Sequence, residues 1–166
     1  MYRHIQDFLN DWKNEESNTV KIFSEITEEA KAQKINDNVR SLERLAWHIT
    51  HTITEMGTKA GLFESDPLED QPIPATFAEI METYKRNSAL LAQTVPGKWT
   101  DSSLDEEVPM YGENWKKGNI LSILIAHEAH HRSQMTVIMR VLGLTVPGLY
   151  GPSKEEWIAY GMPAME

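Results

Sequence analysis

Histidine is the residue type through which this chain could do chemistry. It has six histidines and no cysteine, so disulfides, thiolate metal ligands and a cysteine nucleophile are excluded together. Histidine, aspartate, glutamate and water remain as the metal-ligand repertoire. Three of the six cluster in the segment HEAHHRSQ, as His127, His130 and His131. At about 100° per residue, Ile120, Leu124, Ile138 and Leu142 define the inward direction of a helix through this segment. His127 and His131 lie within about 40° of that direction, whereas His130 lies about 100° away. A separation of four residues stacks the two inward imidazoles with a rise of roughly 6 Å, which suits two nitrogens converging on one ion. Burying both unpaired would cost a few kcal/mol of desolvation, and a metal removes that cost by taking the lone pairs.

A second candidate region is LAWHITHT, around His48 and His51. His48 sits at the border of its helix's apolar stripe, beside Leu45 and Thr52, and could reach a neighbouring helix. On phase alone, a hydrogen-bonded core histidine is the better description of it. His51 points nearly opposite. His127, Glu128 and His131 also spell HExxH, in which two histidines bind zinc and the glutamate is a general base. The extended form needs a glycine and a third histidine, but Gln134 and Val137 stand in those places. Glu128 lies about 60° from the inward direction, so it is a candidate catalytic or proton-handling group and equally a helix-packing or surface residue. Arg132 carries the same ambiguity, and Gln134 is a candidate for supporting the ligands.

These residues need helices to position them. Ile5, Phe8, Leu9, Trp12, Val20, Phe23 and Ile26 recur at helical spacing. Asn36 and Asp37 offer caps for a second helix, whose stripe of Leu42, Leu45, Ile49, Ile53 and Met56 leaves Trp47 and His51 outside it and stops at Gly61 and Pro67. Thr76 and Glu79 form a capping box for a third helix, running through Phe77, Ile80, Met81, Tyr84 and Leu91 to Val95, Pro96 and Gly97. Residues 98–118 read as polar and irregular, with strand character only around Val108 to Tyr111. A fourth helix is predicted from about Asn119 to Leu142, closed by Gly143, and Ser153 with Glu156 opens a last short turn. Phe23, Tyr84 and Met135 read as core. The acidic pairs Glu15–Glu16, Glu28–Glu29 and Glu106–Glu107 read as solvated surface. The expectation is an all-α four-helix bundle with a short C-terminal helical turn, one domain over residues 1–166.

Net charge is −9, with basic residues scattered, which argues against a nucleic-acid partner. The N-terminus lacks the basic start and apolar run of a signal peptide, and no stretch approaches the roughly 18 apolar residues of a membrane span. A cytoplasmic protein without membrane contact is the expectation.

With His48 in LAWHITHT, the run HEAHHRSQ and the tail VPGLYGPSKEEW, the chain resembles the DinB-like (DinB/YfiT-like) metalloenzymes over nearly its whole length. In that family one histidine of the second helix and a pair spaced by four on a later helix bind metal, which implies His48, His127 and His131 here. The family's usual HHRGQ is HHRSQ in this chain; Ser133 points away from the core by phase. The resemblance implies a four-helix bundle, frequently a homodimer, holding nickel or zinc. Some relatives are thiol S-transferases using bacillithiol or mycothiol, and one group isomerises maleylpyruvate with a thiol cofactor. Three neutral histidines leave a coordination position open, which is the catalytic pattern for zinc. The function expected is therefore metal-dependent transfer of a low-molecular-weight thiol onto a small electrophile. The alternatives are a non-catalytic, metal-stabilised stress-response bundle and an HExxH-type metallohydrolase.

Overall fold

The computed structural model describes residues 1–164; the last two residues of the expected 1–166 domain lie outside the described residues. The chain forms α1 (Ile5–Ser24), α2 (Leu42–Lys59), α3 (Phe77–Lys98), a 3-10 turn (Asp101–Asp105), β1 (Glu107–Met110), β2 (Glu113–Lys116), α4 (Lys117–Val141) and α5 (Lys154–Ala159). The four long helices surround one apolar core: α1 and α2 each pack against both α3 and α4. Aromatic side chains fill much of it, with Phe23 edge-on to both Phe77 and Tyr84 at centroid distances of 5.4 and 5.3 Å.

Local chemistry explains most boundaries. Thr76 and Glu79 make the reciprocal capping box expected at the start of α3, and Ser153 with Glu156 does the same for α5. Gly143, at φ +76°, ends α4, and Leu144 N–H donates to the Met139 carbonyl at 2.9 Å. That bond and the left-handed glycine make a Schellman close. α3 runs through Pro96 to Lys98, one residue beyond the expected stop, because a proline in the last turn gives up a single helical hydrogen bond.

Three sequence expectations are corrected. The cap of α2 is Ser41, whose Oγ accepts from Arg44 N–H at 3.4 Å. Asn36 instead accepts from Asn38 N–H at 2.8 Å, closing a turn of its own in the preceding loop. Trp47 is only 4% exposed, because α2 is covered by α3 and α4 together and buries more than one stripe. Residues 107–116, within the segment read as irregular, form an antiparallel hairpin pairing Glu107 with Lys116 and Met110 with Glu113. Tyr111 and Gly112 both take positive φ (50° and 87°), as a tight two-residue hairpin turn requires. Two four-residue strands, the first carrying Pro109, are too short to show alternation, so the protein is mainly helical with a small sheet, not all-α. The hairpin turn docks on the end of α2, where Tyr111 donates to Glu55 at 3.2 Å and Lys59 lies 5.3 Å from its ring centre. No helix among the described residues is long and apolar enough to cross a membrane.

Candidate metal centre

α2 contributes His48, and α4 contributes His127 and His131 one turn apart. The Nε2 of His127 lies 3.1 Å from Nε2 of His48 and 3.1 Å from Nε2 of His131. The ligand atoms of the three residues all fall within 4.8 Å of one another. Zinc–nitrogen bonds of 2.0–2.1 Å in a tetrahedral site place neighbouring nitrogens about 3.3 Å apart, close to the spacing here.

The donor set also lacks any good arrangement without a cation. His131 Nδ1 lies 2.8 Å from Gln134 Oε1, so it donates there and its Nε2 carries a bare lone pair. His127 Nε2 can donate one proton at most, to one of its two neighbours, while its Nδ1 is buried without a partner. Protonation does not relieve the crowding. Desolvation, then the neighbouring imidazoles, pushes His48 down to about 4. His127 is pushed to about 4 by desolvation and by His131 and His130. Burial lowers His131 as well, against the Gln134 hydrogen bond that raises it. The positive charge of Arg40 adds to the lowering at all three rings. The rings are thus neutral at neutral pH, with lone pairs free, and the group could hold a metal ion.

Gln134 ties the ring orientations together. Its amide nitrogen lies 3.1 Å from Nε2 of His130 while its carbonyl takes the His131 proton, so one side chain sets both tautomers. His130 itself is exposed, as its phase predicted. His51 is drawn away to Asp66 at 2.7 Å, and His4 to Asp101 at 3.0 Å.

Glu128 is not brought to the imidazoles. It is 2% exposed on the other side of α4, where its Oε2 accepts from Thr19 and Tyr84, each at 3.1 Å. Arg132, wholly buried, sits 3.7 Å from the same oxygen. Arg132 also bonds Glu15 and Tyr150, and donates to Thr19 at 2.9 Å. Burial pushes the Glu128 carboxyl up to about 7, against the pull of Arg132, Tyr84 and Thr19. Glu15 is therefore corrected from solvated surface to a buried ion-pair partner, 7% exposed. Sequence reasoning missed this cluster, although Leu121, Leu124, Glu128, Arg132, Met135 and Met139 do recur at three- and four-residue spacing. That second stripe was the available signal.

A mainly helical fold with three histidines from two helices, able to hold a metal, defines the class of protein. A family model described as the DinB family matches residues 1–163, and the chain belongs to that family. It is 38% identical to the uncharacterised protein YrdA of Bacillus subtilis (strain 168), over 99% of this chain and 98% of the relative. A DinB-like protein of Bacillus cereus ATCC 10987, known from its crystal structure, superposes with a TM-score of 0.84 at 35% identity, covering 90% of this chain and 100% of that one. The DinB-like protein YjoA of Bacillus subtilis shares the fold, with a TM-score of 0.70 at 16% identity over 89% of this chain and 99% of its own.

Proposed function

We propose that His48, His127 and His131 bind one divalent transition metal, nickel or zinc, and that the site transfers a small-molecule thiol onto an electrophile. The observation that carries this reading is the convergence of three neutral Nε2 atoms, with both 3.1 Å contacts meeting at His127. A bound dication would supply Lewis acidity that strips the proton from a thiol at neutral pH. In the transfer, the thiol's sulfur bonds to the electrophilic carbon as the carbon's bond to its leaving group breaks. The proton leaves to solvent and the leaving group departs with the electron pair. Gln134 keeps His131 turned toward the site, and Arg40 adds positive charge that favours an anionic thiolate.

The HExxH hydrolase reading loses its base, since the hydrogen bonds of Glu128 go to Thr19 and Tyr84. A non-catalytic tie remains the second reading, supported by ligands drawn from two different helices. We read the four long helices as a four-helix bundle in a single domain. Homodimerisation is proposed on the family resemblance alone, and a cytoplasmic location on the cysteine-free composition.

Purified protein should carry about one divalent ion per chain, and His127→Ala or His131→Ala should remove it by elemental analysis. Full metal in both variants would overturn the site. A thiol added to the cobalt-substituted protein should raise a sulfur-to-metal charge-transfer band, and turnover with an aryl halide or epoxide should need all three histidines. If chelation unfolds the protein and no thiol band or turnover appears, the tie is the better reading. If chelation only lowers the melting temperature, the apolar core suffices for the fold.

A further inference from the structure

A cavity opens directly beside the three histidines and shares His131 and Gln134 with them. It encloses about 530 Å³ between the loop preceding α2 and the outer half of α4. Ile35, Val39, Leu45 and Ile138 give it apolar walls, and His131 and Gln134 also line it. Arg40 lines it too, exposed and with no acidic partner among the described residues. In a chain of net charge −9, Arg40 sets a guanidinium at the wall of an otherwise largely apolar cavity, and its planar fork suits a carboxylate. The loop carrying it is held by its own bonds: Val39 N–H donates to the Asn36 carbonyl at 3.1 Å, and Glu43 N–H to the Lys31 carbonyl at 3.0 Å. These bonds tie the backbone on either side of Arg40.

We propose that this cavity binds small organic acids, with an apolar body against Ile35, Val39, Leu45 and Ile138, a carboxylate on Arg40, and the opposite end directed at the histidines. The proposal deepens the reading of the metal centre by naming the class of small molecule that reaches it. Apolar surface supplies most of the affinity in such a pocket, and the single charged group supplies orientation. A guanidinium matches a carboxylate through paired, parallel N–H bonds, which a neutral amide cannot reproduce.

The test uses the full-length protein, both metal-loaded and chelated, titrated calorimetrically with 3-phenylpropionate and with the neutral 3-phenylpropionamide. The carboxylate should bind at least about tenfold more tightly in both forms, the scale of one charge-assisted hydrogen bond. Arg40→Ala should erase that margin and Arg40→Lys should retain part of it, with circular dichroism unchanged. Val137→Asp, a substitution at an exposed position on α4 near the cavity, should weaken both probes. Equal binding of the two probes, or a margin that survives Arg40→Ala, overturns the proposal. A margin confined to the metal-loaded form and independent of Arg40 overturns it too, because the carboxylate is then ligating the ion. Arg40-dependent binding in a protein whose histidines hold no metal would instead sink the metal reading and leave the anion pocket standing.

Discussion

Two pairs of residues on α4, each spaced by four, lie side by side and do different things. His127 and His131 face α2, which answers with a third histidine, and their surroundings open toward a cavity. Glu128 and Arg132, one residue further along, face α1, which answers with Glu15 and Thr19, and all four side chains are buried. Helical spacing placed both pairs; the neighbouring helix determined their chemistry. Where the partner supplies an opposite charge, the pair closes into an ion network. Where it supplies another neutral lone pair, the group is left wanting a cation.

The largest effect should come from the buried pair. Arg132→Met leaves Glu15 buried without its cation and Glu128 without the charge that favours its ionised form, and breaking a buried pair in this way costs about 3–5 kcal/mol. Urea unfolding should show that loss. Adding Glu15→Gln and Glu128→Gln to the same chain should recover most of it, since the cost lies in stranded charge rather than lost packing. Metal content per folded molecule should stay unchanged. A fall in metal content would show that the two faces of α4 are coupled and would break the comparison.

The histidine face was legible in the sequence because phase is a local property: the stripe of Ile120, Leu124, Ile138 and Leu142 orients His127 and His131 without knowledge of the rest of the chain. His48 was legible only as a border residue, since what it meets depends on how α2 lies against α4. Glu15 and Arg132 were not legible as a pair. They are 117 residues apart, and nothing near either one signals the other. The core and the long helices could be read from periodicity, and the caps of α3 and α5 from their box residues. The hairpin could not, because its specification lies in the backbone turn at Tyr111 and Gly112 more than in any side-chain alternation.

The next effect separates the two pairs by pH in chelated protein. In an unfolded chain an imidazole takes its proton near 6.5, but folded, metal-free His48 and His127 resist until about 4. Between those values the unfolded state binds more protons, so stability should fall as pH drops from 6.5 toward 4. Glu128 works in the opposite sense. Its folded carboxyl keeps the proton up to about 7, against 4.5 unfolded, so it costs stability as pH rises through that window and returns it on acidification. Glu128→Gln removes the opposing contribution, and the acid-side loss should then steepen. An unchanged slope in that variant would mean that Glu128 does not titrate in this range.

The smallest effect on the fold should come from Gln134, which is exposed and joins the histidine face by two hydrogen bonds. Its carbonyl holds the Nδ1 proton of His131 at 2.8 Å, and so keeps the Nε2 lone pair aimed at His127. Gln134→Ala frees the ring to turn or to exchange tautomers. Removing a partner of this kind typically lowers metal affinity about 10- to 100-fold. The unfolding free energy of the chelated protein should barely move, because Gln134 is exposed and water can replace its hydrogen bonds. Gln134→Glu should restore metal affinity, since a carboxylate accepts the same proton and makes the ring a more basic ligand. His130→Ala, which leaves the Gln134 to His131 bond in place, should lower affinity less than Gln134→Ala. Competition titration against a chromophoric chelator reads all three variants on one scale. If Gln134→Ala binds metal as tightly as the parent chain, the orientation of His131 is fixed by packing alone, and the open face of α4 is as rigid as the buried one.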